Sequence, residues 1–192
     1  NHVWDNKDIF NFIDTENRII RPANYPNSPG KGYQIVQIGA GTKIGILNIS
    51  GRTFMSPLDC PFKAADLIIQ EMKNVTKIIV VDFHAEATSE KIAMGWYLDG
   101  RVSLVAGTHT HVQTADEKIL TNGTAYITDI GMTGPCNSVL GIEKERVINK
   151  FISQMPVRFE VAKGSAEING IIVDIDESTG RALKIQRIRE ST

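Results

Sequence analysis

The stretch IIVVDFHAEATSEKIAMGWYLDGRVSLVAGTHTH, residues 78–111, decides the fold. It opens on the β-branched run Ile78-Ile79-Val80-Val81 and nears its end on a second apolar run, Val102-Ser103-Leu104-Val105. Between them, residues 88–98 together with Ala87 carry Ala87, Ile92, Ala93 and Trp96 at helical intervals. Thr88 or Ser89 is available as the N-cap, Glu90 or Lys91 as a first-turn residue, and Gly100 as the stop. Strand, helix and strand in this span predict a βαβ unit, whose crossover is right-handed and whose strands run parallel. Both carboxyl ends then emerge at one edge of the sheet, where open α/β sheets build their sites.

Three of the four histidines stand at those two strand ends. His84 closes Asp82-Phe83-His84, and His109 and His111 lie in Gly107-Thr108-His109-Thr110-His111; the fourth, His2, follows Asn1. The βαβ geometry predicts that His84 and His109 are neighbours in space. In an extended chain His109 and His111 project to one face, roughly 6–7 Å apart. Two cations about 3.5–4 Å apart in a hydrolytic site could each take one of those imidazoles. A His-x-His alone is common by chance, but beside a histidine on the adjoining strand end it points to metal chemistry. The competing reading is a set of hydrogen-bonded pocket histidines without a ligand. Thr108 and Thr110 are placed to support the imidazoles by hydrogen bonding.

Working outward, 192 residues with 42% hydrophobic content and a net charge of −1 predict one globular α/β domain over residues 1–192. That balance supplies no basic field to hold bulk nucleic acid or an anionic membrane. Lys184, Arg187 and Arg189 read as the solvated face of a terminal strand. Cys60 and Cys136 form neither a zinc pattern nor a disulfide framework, so they are expected to be free thiols in a reducing compartment. With no membrane-length apolar run and no signal-peptide pattern, a cytoplasmic location is the default expectation. The chain opens without Met, inside what reads as a loop motif, so a preceding amino-terminal segment is expected.

Residues 5–13 read as a short amphipathic helix, and residues 21–30 as an irregular loop rich in proline. Residues 33–38 and 43–49 predict a hairpin across Gly39-Ala40-Gly41-Thr42. A helix over 62–73 turns Ala65, Leu67, Ile68, Ile69 and Met72 inward. Residues 112–120 are expected to be a short helix, 124–130 a strand, 131–135 a glycine-rich loop, and 143–154 a helix stopped by Pro156. Residues 157–162, 168–175 and 182–188 predict an antiparallel meander. The whole predicts an α/β sandwich of mixed sheets with helices outside.

The sequence resembles the YmdB-type branch of the calcineurin-like metallophosphoesterases, bacterial enzymes acting on cyclic nucleotides such as 2′,3′-cyclic AMP. The resemblance rests on Asn1-His2, on residues 82–88 (DFHAEAT) and 107–114 (GTHTHVQT), on Arg21-Pro22-Ala23-Asn24 and on Gly51-Arg52-Thr53-Phe54. Residues 128–135 (TDIGMTGP) and Pro156-Val157-Arg158-Phe159 extend it along essentially the whole chain. It implies a metallophosphoesterase sandwich whose amino-terminal βαβ portion, with two sets of acidic ligands, would lie before Asn1.

By that resemblance Asn1, His84 and His109 would ligate one divalent cation and His111 another, the pair being Fe, Mn or Zn. His2 would donate a proton to the departing oxygen, as an imidazole can near neutral pH. Asp5 either orients His2 or caps the first helix. Asp82 and Glu86 are candidate acceptors behind the ligand imidazoles. Arg21, Asn24 and Arg52 are candidates for touching substrate, with surface salt bridging as the competing role. The expected activity is phosphodiester hydrolysis of a small-molecule substrate by a metal-activated bridging water; self-association into a homo-oligomer is left open. Two other classes compete. If the chain begins at Asn1, it is a non-catalytic nucleotide-binding or interaction module; alternatively it is a metal-dependent hydrolase of another bond, such as an amide.

Overall fold

The computed structural model describes residues 1–39 and 41–192, so Ala40 of the expected hairpin turn lies outside the described residues. Two 3-10 turns, Val3–Asp5 and Lys7–Asn11, open the chain. They are followed by β1 (Tyr33–Ile38), β2 (Thr42–Ser50), α1 (Pro61–Lys73), β3 (Ile78–His84), α2 (Thr88–Leu98) and β4 (Leu104–Thr108). Then come β5 (Lys118–Ile119), β6 (Ala125–Ile127), β7 (Gly134–Pro135), α3 (Lys144–Ser153), β8 (Ala166–Ile175) and β9 (Ala182–Ser191).

Among the described residues the strands form two sheets. The larger has the order β1-β2-β3-β4-β6-β5, parallel from β2 through β6 and antiparallel at both edges. The smaller, β7-β8-β9, is antiparallel throughout. Helices α1 and α2 cover one face of the large sheet, where Leu47, Ile69, Met72, Phe83, Met94 and Leu98 are buried together. Its other face meets the small sheet through Leu104, Ala106 and Ile127 against Ile171, Val173 and Ile185. The mixed-sheet sandwich with outer helices is thus the observed architecture. No helix among the described residues is long and apolar enough to cross a membrane.

The βαβ unit forms as its apolar pattern requires, and its register sets the site. Ser50, His84 and Thr108 stand in one row at the carboxyl ends of β2, β3 and β4. Gly107 lets β4 lie close to the chain after β6. A Cβ there would collide with the Thr128 carbonyl, and the Gly107 carbonyl accepts from Ile130 N–H at 3.0 Å.

Five expectations are corrected. In α2 the buried face is Lys91, Met94, Gly95 and Leu98, while Ile92 and Trp96 point outward. A charged residue is buried because a buried carboxylate receives it, as described below. In α1, Leu67 is likewise exposed, and Ala65, Ile69 and Met72 face the core. Residues 112–120 are extended rather than helical. Gln113 Nε2 donates to the carbonyls of Ile130, Gly170 and Ile188, and Thr114 and Asp116 bind residues 128–129, so the side chains strap the segment to its neighbours.

The first strand of the small sheet is Gly134–Pro135, not residues 157–162. There the backbone turns to α3 and its approach: Arg146 binds the Arg158 carbonyl, and Glu143 N–H binds the Glu160 carbonyl. The amino-terminal segment forms 3-10 turns in place of an α-helix, because Asn6 accepts from Asp8 N–H at 2.9 Å and starts a new turn there. Asp5 therefore caps nothing.

Candidate metal centre

His84 ends β3 buried, and Thr108 beside it ends β4. The chain then leaves the sheet in a turn that places His109 over His84. His84 Nε2 and His109 Nδ1 face each other at 3.0 Å, with the rings nearly perpendicular at 81°. Each imidazole is held on its outer nitrogen. His84 Nδ1 lies 3.3 Å from Thr108 Oγ1, and His109 Nε2 lies 3.0 Å from Glu86 Oε2. The Thr108 hydroxyl donates to Asp82 Oδ1 at 2.8 Å, and Asp82 Oδ2 accepts from Asn48 Nδ2 at 2.6 Å. Asp82 thus reaches His84 through a threonine hydroxyl, whereas Glu86 touches His109 directly. Such partners fix ring orientation and leave one nitrogen of each ring facing inward.

Asn1 and His2 complete the cluster. The His2 ring meets His84 edge-on, with centroids 5.4 Å apart, and His2 Nδ1 lies 3.4 Å from Asp5 Oδ2. The Asn1 side chain approaches Asp82, while its own Oδ1 is buried without a hydrogen-bond partner. Leaving a buried carbonyl oxygen unpaired is costly, and an oxygen of that kind is what a divalent cation takes. The inward nitrogens of His84 and His109, backed by hydrogen-bond acceptors and joined by this oxygen, make a thiolate-free donor set. These residues fit a borderline divalent cation.

Burial, reinforced by His109 alongside, holds the His84 imidazole down to about 3, so the ring is neutral and its lone pair is available. Burial pushes Asp82 upward, against the opposing hydrogen bonds from Thr108 and Asn48. A consequence for stability follows from linkage. Between His84's ordinary value of 6.5 and its folded value of about 3, the unfolded chain binds the proton and the folded chain does not. Stability therefore rises with pH through that window and is lost as pH falls through it. Thermal melts of the chelator-treated protein from pH 7 to 4 are expected to show that slope, and His84→Gln is expected to flatten it.

His111 is placed differently. It sits at φ +66° after His109 at φ +102°, and it makes no hydrogen bond or ring contact with the other three histidines among the described residues. It lines a cavity of about 430 Å³ shared with Gln113, Met132, Cys136, Asn169 and Arg187. Among the described residues no three His, Cys, Asp or Glu side chains converge on one point. The structure brings together Asn1, His2, His84 and His109, and leaves His111, two residues after His109, on the adjoining cavity wall.

Two of the three arginine and asparagine candidates have other duties. Arg21 is buried, its guanidinium donating to the carbonyls of Pro22, Ala23, Ser28 and Pro29. Asn24 clamps Ser50 and Asp59. Arg52 is exposed, and its backbone is held by Glu90. Sequence reasoning missed the pair behind the turn, in which Lys91 Nζ donates to Asp129 Oδ2 at 2.8 Å, with side-chain exposures of 2% and 1%. The signal was available: Lys91 lies four residues after Ala87 and three before Met94, on the stripe the helix buries.

A family model described as "YmdB-like protein" matches residues 1–188. A protein of Bacillus subtilis (strain 168) named "2′,3′-cyclic-nucleotide 2′-phosphodiesterase" is 54% identical over 189 residues, spanning 98% of this chain and 71% of that protein. A solved structure titled as a hypothetical protein from Thermus thermophilus superposes with a TM-score of 0.91 at 40% identity, covering 100% of this chain and 74% of the other. Another, titled as a novel phosphatase of Mycoplasma pneumoniae, gives 0.89 at 35% identity, covering 98% of this chain and 69% of the other.

Proposed function

Because the chain belongs to the YmdB-like protein family, we propose that it is a phosphodiesterase acting on 2′,3′-cyclic nucleotides with two divalent cations. The observation that carries this reading is the His84–His109 pair, inner nitrogens 3.0 Å apart and outer nitrogens engaged, beside the unpartnered Asn1 Oδ1. Asn1, His84 and His109 would hold one cation and His111 the other, with Mn, Fe or Zn suited to these donors. Bound there, such ions supply positive charge to the phosphoryl oxygens and acidify the attacking water.

The chain's own residues do the rest. His2 stands exposed at the mouth of the cluster, where Asp5 engages Nδ1 and leaves Nε2 free to hand a proton to the departing oxygen. Glu86 and Thr108 keep the ligand rings from turning. The cavity beside His111 offers Val112, Met132 and Leu140 as apolar wall and Asn169 as a polar group, a lining suited to the nucleoside portion of the substrate.

The test is a substrate panel with metal removal. Protein treated with chelator is expected to lose hydrolysis of 2′,3′-cyclic AMP and bis-p-nitrophenyl phosphate, and to regain both on addition of Mn or Fe. Activity on acylated sugars in place of phosphodiesters, or full activity after chelation, would overturn the reading.

A further inference from the structure

The turn that carries His109 and His111 is strained at two residues. His109 has φ +102° and His111 φ +66°, both in the region that side-chain-bearing residues avoid. Backbone of this kind persists only where its surroundings over-determine it. Between the two histidines stands Thr110, and both of its donors go to one atom. Thr110 N–H reaches Asp129 Oδ2 at 3.0 Å and Thr110 Oγ1 reaches the same oxygen at 2.6 Å. That oxygen also receives Lys91 Nζ at 2.8 Å, while Asp129 Oδ1 accepts Gly131 N–H at 2.9 Å. A single buried carboxylate thereby joins α2, the histidine turn and the loop after β6.

A buried carboxylate needs a counter-charge to remain an acceptor for so many donors. Lys91 meets that need from a helix position otherwise occupied by core residues. Burial alone would raise the Asp129 carboxyl, but the hydrogen bonds from Lys91, Thr110 and Gly131 outweigh it and hold the group below its ordinary value. Gly107 shapes the same spot, since a Cβ there would come within 3.1 Å of Lys91 Cδ as well as striking the Thr128 carbonyl.

We propose that the Lys91–Asp129 ion pair is a positioning device that pins Thr110 and thereby aims His109 and His111 at the cations. Lys91 and Asp129 touch neither substrate nor metal; they act through Thr110. The inference rests on the metal-centre reading above for what the histidines bind, but not for the pinning itself.

The experiment compares wild type with Lys91→Met, Lys91→Met/Asp129→Asn, Thr110→Val and Thr110→Ser. It uses Co(II) as the probe, with Co(II) affinity, the ligand-field absorption band, exchange of the Thr110 amide in metal-free protein, and Tm as readouts. Lys91→Met and Thr110→Val are expected to weaken Co(II) binding about 10- to 100-fold, the usual range for groups behind a metal ligand, and to alter the band. They are also expected to speed Thr110 amide exchange. Thr110→Ser, which keeps the hydroxyl, is expected to restore all three. The double variant removes both charges, so it is expected to regain Tm relative to Lys91→Met without regaining the affinity.

A folded Thr110→Val protein with wild-type affinity, band and amide protection would overturn the proposal, whether or not Lys91→Met folds. If wild type binds no Co(II), the metal-centre reading fails. The amide-exchange comparison then still decides whether the ion pair pins the turn.

Discussion

His84→Ala is expected to lower the rate of phosphodiester hydrolysis roughly 10³-fold, because cation charge on the phosphoryl oxygens is worth several kcal/mol and each 1.36 kcal/mol is a factor of ten. The substitution deletes the ring whose inner nitrogen faces His109 at 3.0 Å and whose outer nitrogen meets the Thr108 hydroxyl. It also leaves Thr108 held by Asp82 alone. Metal content by elemental analysis is expected to fall in step with activity, while circular dichroism remains that of the native fold. Unchanged hydrolysis by this variant would remove His84 from the site and the phosphodiesterase reading with it.

The second large effect concerns His2. His2→Ala is expected to lower kcat for 2′,3′-cyclic AMP by about 10²–10⁴-fold, the range for losing a positioned general acid. The loss depends on the leaving group. A ribose oxygen departs poorly without a proton, whereas p-nitrophenolate departs unaided. Hydrolysis of bis-p-nitrophenyl phosphate is therefore expected to fall far less in the same variant. Equal losses on both substrates would show that His2 serves binding or metal retention and not proton transfer. His2 is well suited to this test, because its side chain is 70% exposed and its removal leaves no core cavity. Asp5→Asn is expected to weaken the same activity to a smaller degree, through loss of the 3.4 Å contact to Nδ1.

Much of this architecture was legible in the residues. The run Ile78–Val81, the helical segment after it and the run ending at Val105 predicted parallel strands, and β3 and β4 pair in that way. The strand ends then placed His84 beside His109. Local pattern served less well where side chains bind distant backbone. Residues 112–120 carry a helix-compatible composition, yet Gln113 is spent on three carbonyls from three other parts of the chain. Residues 157–162 alternate like a strand, yet their backbone bonds go to the approach to α3. Ile92 and Trp96 look like a buried stripe until Lys91, one residue earlier, finds its carboxylate 38 positions away in sequence.

The sequence by itself determined that strands carrying Asp82-Phe83-His84 and Gly107-Thr108-His109 would end at one edge, because apolar periodicity and crossover handedness are properties of short segments. Only the tertiary structure decided which way each imidazole points. His109 turns to His84 and Glu86, and His111 turns to the neighbouring cavity, because their backbone angles are imposed by a carboxylate at Asp129 and a lysine inside α2. Hydrogen bonds across 19 and 38 residues leave no trace in local periodicity, and they help to fix a turn that the chain would not adopt unaided.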